Sequence, residues 1–229
     1  PLVAKMLAPN KPVEELYDLD ADPYEVHNLA ESKAYANTLV RLRKAHENWT
    51  IETRDVGLMP EPEMIRAIQK NGSADKIFTS ETGLNHLKTI RTTADAARRG
   101  DQTTLLAALN SDDASVRFWG AVGLGLVKQG KDKLKQSLKD ASPSVRVASA
   151  QSLIQMGRAN EATPVLLTSL THEDPWIRLM AALAIDENDA VAKTVLDQLP
   201  PYREDKSKYV ARVVNRTLNR IQGTSEQVR

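Results

Sequence analysis

From Asp101 onward the aliphatic residues fall into a pattern that repeats. Val116-Arg117, Val145-Arg146 and Ile177-Arg178 are separated by 29 and then 32 residues. Each pair follows a short leucine-bearing segment: Leu105/Leu109, Leu134/Leu138 and Leu166/Leu170. Each precedes two small residues and an aliphatic: Gly120-Ala121 with Leu124, Ser149-Ala150 with Leu153, and Ala181-Ala182 with Ile185. A divergent fourth copy carries Val195/Leu199 and then Val210-Ala211 with Leu218. Steps of three and four put these aliphatics on one helix face. A short helix pair cannot bury that face alone, so a period near thirty residues specifies stacked pairs, an α-solenoid from about Asp101 to Gln222. The pattern predicts helices near 101–110, 114–128, 131–139, 143–156, 162–170, 175–187, 189–199 and 206–222. Asp113, Ser142 and Asp174 stand where N-caps belong. Pro143 and Pro175 occupy the first helical position, where a missing N–H costs nothing.

The chain before Asp101 reads differently. Glu15-Leu16-Tyr17-Asp18-Leu19 predicts a short strand, and Asp20-Ala21-Asp22-Pro23 a turn, because proline biases Asp22 away from helix. Ser32 is the expected N-cap of a helix reaching Trp49, with Tyr35, Leu39, Leu42, His46 and Trp49 along one face. His46 on that stripe reads as a packed histidine. Gly57, Pro60 and Pro62 end this segment. Glu63–Asn71 and Asn85–Arg99 follow as two helices, the second with Leu87, Ile90, Ala94 and Ala97 on one side and Gly100 as its C-cap. The expected organisation is therefore residues 1–62 as a small α/β segment, 63–100 as a helical connector and 101–229 as the solenoid, in a mostly α chain.

Composition agrees with helix: aromatics make up only 4% of the 229 residues, below what a β-sandwich or barrel uses. There is no cysteine, which removes disulfides, thiolate metal sites and a cysteine nucleophile. The net charge of +1, with no clustered bases, argues against a nucleic-acid partner. No apolar run approaches the ~20 residues that span a bilayer, so no membrane partner is expected. The chain opens Pro1-Leu2-Val3, without Met or a signal-peptide pattern, and is expected to be a processed or partial product.

Chemistry-bearing motifs are sparse. No Gly-rich phosphate loop, His-x-x-x-His or Gly-x-Ser-x-Gly occurs. His27, His46, His86 and His172 share no metal-ligand spacing. Asp112-Asp113 and Glu173-Asp174 sit where helix N-termini want negative charge. Arg117, Arg146 and Arg178 recur at one helical phase and predict a ladder between repeats, with Asp112, Asp140 and Asp174 within reach; an anion-binding row is the alternative. Lys208, Arg212, Arg216 and Arg220 recur every four residues as a basic stripe on the last helix. That stripe is expected to be either a solvated capping face or a contact surface for an acidic partner or sulfated polysaccharide.

Two resemblances bear on these residues. Leucine, then Asp140-x-x-Pro143-x-Val145-Arg146 and the small pair, resembles the HEAT-like repeat family, including its short form named after phycobilisome lyases, over about half the chain. The first copy has Ala114 in place of the proline, and the fourth has Ala211 in place of the arginine. Glu14-Glu15-Leu16-Tyr17-Asp18-Leu19, Asp22-Pro23-Tyr24-Glu25 and Asn28-Leu29-Ala30, then a helix to Trp49 and Thr53-Arg54-Asp55-x-Gly57-Leu58-Met59-Pro60-Glu61, resembles the C-terminal signature of the sulfatase family, across about residues 13–64. The resemblance implies a secreted or periplasmic bacterial sulfatase that hydrolyses sulfate esters or sulfamates. Its catalytic part would lie upstream, using formylglycine made within Cys/Ser-x-Pro-x-Arg and a divalent metal, usually calcium. Ser142-Pro143-Ser144-Val145-Arg146 does not fit that motif: Ala141 stands two before the proline and Val145 where the arginine belongs. The expectation is a non-catalytic C-terminal piece, with no catalytic, cofactor or metal residues of its own and the missing catalytic domain or another protein as partner. The alternative is a stand-alone HEAT-repeat interaction scaffold.

Overall fold

The computed structural model describes residues 7–8 and 11–226. They are mostly helical and contain no β-strand among the described residues. The chain divides into two compact units, one up to Thr53 and one from Arg54 onward.

In the first unit the expected strand at Glu15–Leu19 does not form, which corrects the α/β expectation. The reason is Asn28. Its side-chain oxygen accepts the Leu16 N–H at 3.0 Å and the Ala30 N–H at 2.9 Å, and its amide donates to Glu14 O at 3.2 Å. Leu29 N–H then donates to Leu16 O at 2.7 Å. The backbone groups that a ladder would use are satisfied by one amide side chain, so no second strand is required. Asp22 closes the turn by accepting from Val26 and His27 N–H at 2.8 and 2.7 Å. Helix α1 (Ala36–Glu52) follows a 3-10 turn at Lys33–Tyr35. Ser32 precedes that turn and makes no side-chain cap; α1 starts instead after Tyr35. Leu39 is buried, but Leu42 and Trp49 of the expected stripe are exposed. His46 is exposed too and stacks on Trp49 with ring centroids 6.3 Å apart, rather than packing in a core.

The second unit begins with α2 (Glu61–Asn71) and α3 (Glu81–Arg99). The latter is capped by the Ser80 side chain and ends on Gly100 at φ 72, a left-handed position that suits glycine. Four helix pairs follow: α4 (Gln102–Ala108) with α5 (Ala114–Val127), α6 (Lys131–Ser137) with α7 (Pro143–Gln155), α8 (Ala159–Ser169) with α9 (Pro175–Asp186), and α10 (Asp189–Thr194) with α11 (Lys208–Gln222). Between α10 and α11 the chain runs through 3-10 turns at Leu196–Gln198 and Pro200–Glu204 in place of the long helix expected at 189–199. One apolar seam runs through the pairs, with Leu105, Leu134 and Leu166 of the first helices meeting Leu124, Leu153 and Ile185 of the second, all fully buried.

The caps fall at the expected positions, with one difference. Asp113 accepts from Ser115 and Val116 N–H, and Asp174 from Trp176 N–H. Ser142 stands at the N-cap position but makes no cap hydrogen bond. Its hydroxyl, with that of Ser144, donates to Glu63 on α2. Trp119 Nε1 donates to Leu58 O at 2.7 Å. The chain leading into α2, and α2 itself, are thereby tied to the N-terminal turns of α5 and α7.

The small residues set how closely helices approach. A Cβ on Gly123 would lie 2.4 Å from Leu105 Cδ2 and 2.8 Å from Ala97 Cβ. Gly123→Ala gains helix propensity of about 1 kcal/mol but overpacks a sealed seam at about 1–3 kcal/mol. A net loss of about 0–2 kcal/mol is expected in urea unfolding; increased stability would show that the seam has slack.

Candidate functional site

The second helices α5, α7 and α9 each present an arginine to the turn that precedes them. Arg117 Nη1 donates to Ser111 O and Asp112 O at 2.8 and 3.0 Å, Arg146 Nη1 to Asp140 O and Ala141 O at 2.7 and 3.2 Å, and Arg178 Nη1 to His172 O and Glu173 O at 2.8 and 2.9 Å. The remaining edge of the guanidinium reaches the next repeat. Arg117 Nε and Nη2 grip both oxygens of Asp140 at 2.8 Å, and Arg178 does the same to Asp205 at 2.8 Å. Two parallel charge-assisted bonds form each rung. Both carboxylates also accept a local N–H two residues on, Ser142 for Asp140 and Ser207 for Asp205, each at 2.7 Å.

The structure thus distributes the expected acidic partners unevenly. Asp140 is a rung. Asp112 contributes its carbonyl, and Asp174 is occupied with capping α9. Asp205 was missed, although it stands two residues before Ser207 as Asp140 stands before Ser142. Arg146 has no carboxylate rung. The position that Asp140 and Asp205 hold is held in the third repeat by His172, whose Nδ1 accepts Asp174 N–H at 3.0 Å.

Burial would raise the Asp140 carboxyl. The Arg117 fork, the Ser142 N–H and the charges of Arg117 and Arg146 outweigh it and hold the group below the usual carboxylate range. Asp205 is lowered in the same way: its desolvation is overcome by Arg178 and Ser207 N–H.

The basic stripe on α11 is not four free cations. Arg216 and Arg220 both pair with Asp186 at the end of α9, and Arg220 also with Asp189. Thr217 Oγ1 donates to Asp186 Oδ1 at 2.7 Å. Asp186 is buried, which raises its carboxyl, but Thr217, Arg216 and Arg220 lower it further than burial raises it. Lys208 lies over the Tyr209 ring, 5.2 Å from its centroid, and Arg212 is exposed. Nothing in the spacing of Asp186 marked it beforehand, because it lies after the aliphatic that closes the repeat pattern.

Beside the last rung lies an open groove of about 450 Å³, lined by Glu173, Pro175, Trp176, Arg178, Lys206 and Tyr209. Trp176 and Tyr209 hold equivalent positions in the first turns of α9 and α11. Their rings lie 21° from parallel with centroids 6.3 Å apart. The equivalent residues in α5 and α7 are Ser115 and Ser144, both buried.

The histidines stand apart: His27 is beside Asp22, His46 on Trp49, His86 beside Asp113 and His172 in the ladder series. Among the described residues no group of three His, Asp or Glu side chains could hold a metal ion. No described helix is long and apolar enough to cross a membrane.

The region of repeating arginine turns and small-residue seams is similar to a known repeat family. Residues 131–219 match the model of HEAT repeats. Over that stretch the chain is a stack of helix pairs similar to HEAT repeats. A second comparison finds 71 residues that are 42% identical to an "Ulvan-active sulfatase" of Formosa agariphila. The match covers 31% of this chain and 12% of that protein, so the chain spans a small part of the relative's length.

The rungs make a pH prediction. A carboxyl whose folded pKa is depressed contributes stability that is complete above its unfolded value near ~3.9 and is lost as pH falls through the folded value. Unfolding free energy should therefore fall as pH drops below about 4. Asp140→Asn should cost about 2–3 kcal/mol at neutral pH, by leaving Arg117 half-buried without its carboxylate, and should flatten the acid limb. Urea titrations of both chains between neutral and acid pH measure this; parallel acid limbs would mean that the rung does not couple to stability.

Proposed function

We propose that this chain is the non-catalytic C-terminal part of a sulfatase-family protein, with its HEAT repeats as an appended scaffold. The observation that carries the reading is the 42% identity over 71 residues to the ulvan-active sulfatase, alongside the ordered signature at about residues 13–64. The surface of the first unit supports it. Leu7, Val13, Leu19, Tyr24, Val40, Leu42 and Trp49 are exposed there, against Leu126 and Tyr209 among the described residues of the second unit. Each of these side chains would gain hydrophobic free energy on being covered by a partner. A sulfatase catalytic domain is the partner that the resemblance supplies, and the location would then be periplasmic or extracellular.

The chemistry of hydrolysis belongs to that partner. The described residues do not fit the family's calcium and formylglycine. They bring no acidic cluster together, and Ser142, the serine nearest in sequence to the motif, is a buried hydroxyl committed to Glu63. Whatever sulfate ester or sulfamate the whole protein uses, this chain's part is to hold, orient or recruit.

Two measurements test the reading together. The purified chain should not turn over an aryl sulfate in the presence of calcium. The reading frame continued upstream of Pro1 should carry Cys/Ser-x-Pro-x-Arg, and the product of the continued frame should turn the ester over. A frame without that motif would overturn the proposal in favour of a stand-alone HEAT scaffold. Turnover by the purified chain alone would overturn its non-catalytic assignment.

A further inference from the structure

The third repeat breaks a rule that its neighbours keep. Arg117 and Arg178 each spend the outer edge of the guanidinium on an aspartate of the following turn. Arg146 makes the same two carbonyl bonds behind it, but the following turn offers His172 where the aspartate belongs. The substitution keeps the local structure. His172 Nδ1 accepts the Asp174 N–H as Asp140 accepts Ser142 N–H and Asp205 accepts Ser207 N–H. With Nδ1 accepting, the ring proton sits on Nε2. The repeat register therefore puts a histidine where the neighbouring rungs have an aspartate, and the outer edge of the Arg146 guanidinium is left without a carboxylate fork. A planar fork of this kind pairs with oxyanions in two parallel bonds.

Four residues after His172 the same segment carries Trp176, which with Tyr209 floors the groove described above. Tyr209 is 49% exposed. Lys206 and Lys208 are exposed beside it, and Glu173 is an exposed carboxylate on the rim. In α5 and α7 the matching positions are serines, and α2 covers the α7 turn through Glu63. The first turns of α9 and α11 instead carry rings and cations.

We propose that the Arg146–His172 position and the Trp176–Tyr209 groove together bind an acidic saccharide. Its sulfate or carboxylate occupies the open rung, and a neighbouring sugar ring lies against the aromatic pair. A rigid amphipathic ring with a polar edge suits a ligand that is part apolar and part wet. An acidic protein segment fits less well. A protein interface core is built from clustered apolar anchors, and among large apolar side chains the described surface of this unit exposes Leu126 and Tyr209. The inference stands on the groove and the broken ladder, not on the sulfatase reading, and either can fail without the other.

The experiment is calorimetric titration of the whole chain with a heparin-derived tetrasaccharide, an oligogalacturonate of the same length, a neutral cello-oligosaccharide and a poly-glutamate peptide. The two acidic saccharides should bind in preference to the neutral one and to the peptide. Arg146→Gln, His172→Asp and Tyr209→Ala should each weaken saccharide binding by about ten-fold or more, the loss of one charge-assisted fork or one stacked ring. Arg212→Ala, on the exposed stripe, should change it less than about two-fold, as expected for a rim charge. His172→Asp has a second readout that needs no ligand, because it completes the rung: its melting temperature should rise above wild type. Equal saccharide affinity in wild type and His172→Asp, preference for the peptide, no binding of either acidic saccharide, or a His172→Asp chain that melts no higher than wild type would each overturn the proposal.

Discussion

The repeat unit depends on how close its helices can come. At Gly123 and Gly125 on α5 the partner side chains already stand where a Cβ would be, Leu105 in one case and Ser152 in the other. Ser152 shows what that closeness allows: fully inside the seam, its hydroxyl donates to Ala121 O of the preceding repeat at 2.9 Å. Dispersion in such a seam is short-ranged, and a gap of half an ångström forfeits a quarter of it. Small residues at fixed phase therefore set the stacking distance, and the stacking distance sets where each turn lies relative to the next helix.

The arginine rungs follow from that geometry. A guanidinium at the second turn of one helix reaches the next repeat's turn only if the repeats stack at constant spacing and rotation. Two rungs with the same 2.8 Å fork at Arg117 and Arg178 report that spacing on either side of the step from the second repeat to the third. They fix register as well as adding stability, since a carboxylate and a guanidinium taken out of water repay their desolvation when the geometry is right. The His172 turn shows that the stack does not need every rung. The local hydrogen bond that shapes the turn survives there while the inter-repeat fork is absent, and the seam, with the Gln151–Glu187 and Lys135–Glu161 contacts, carries that step.

Much of this was legible in the sequence because it is local and periodic. Helix caps at Asp113 and Asp174, the prolines after the caps, the left-handed Gly100 and the aliphatic seam all depend on residues a few positions apart. What the sequence hid depends on contacts between distant segments. Asn28 replaces a β-partner for Leu16 through its side chain, a contact twelve residues long that no alternation of apolar and polar residues encodes. Ser142 leaves its cap for Glu63, 79 residues away, because α2 happens to lie over the α7 turn. Asp186 collects two arginines of the expected stripe from a helix thirty residues on, so a row that is regular in sequence is half neutralised in space. Arg146 was read as equal to its neighbours for the same reason: its own segment matches theirs, and the difference lies in the following repeat.

The two units also differ in what they leave to solvent, and the difference has a physical consequence. A solenoid finishes its own surface, because each repeat buries its apolar face against the next and the last helix turns a polar, ion-paired face outward, as Arg216 and Arg220 do with Asp186. Among its described residues the unit ending at Thr53 has a small buried interior. It is held by side-chain bonds from Asn28, Asp22 and Glu14 more than by a core, with Leu16 and Leu39 its buried aliphatics, and it leaves Trp49 55% exposed. Exposed apolar side chains such as Trp49 gain hydrophobic free energy only against another surface, since ~25 cal/mol per Å² is realised when they leave water. The repeats cover their apolar residues with one another, whereas the first unit leaves several of its described apolar residues in water.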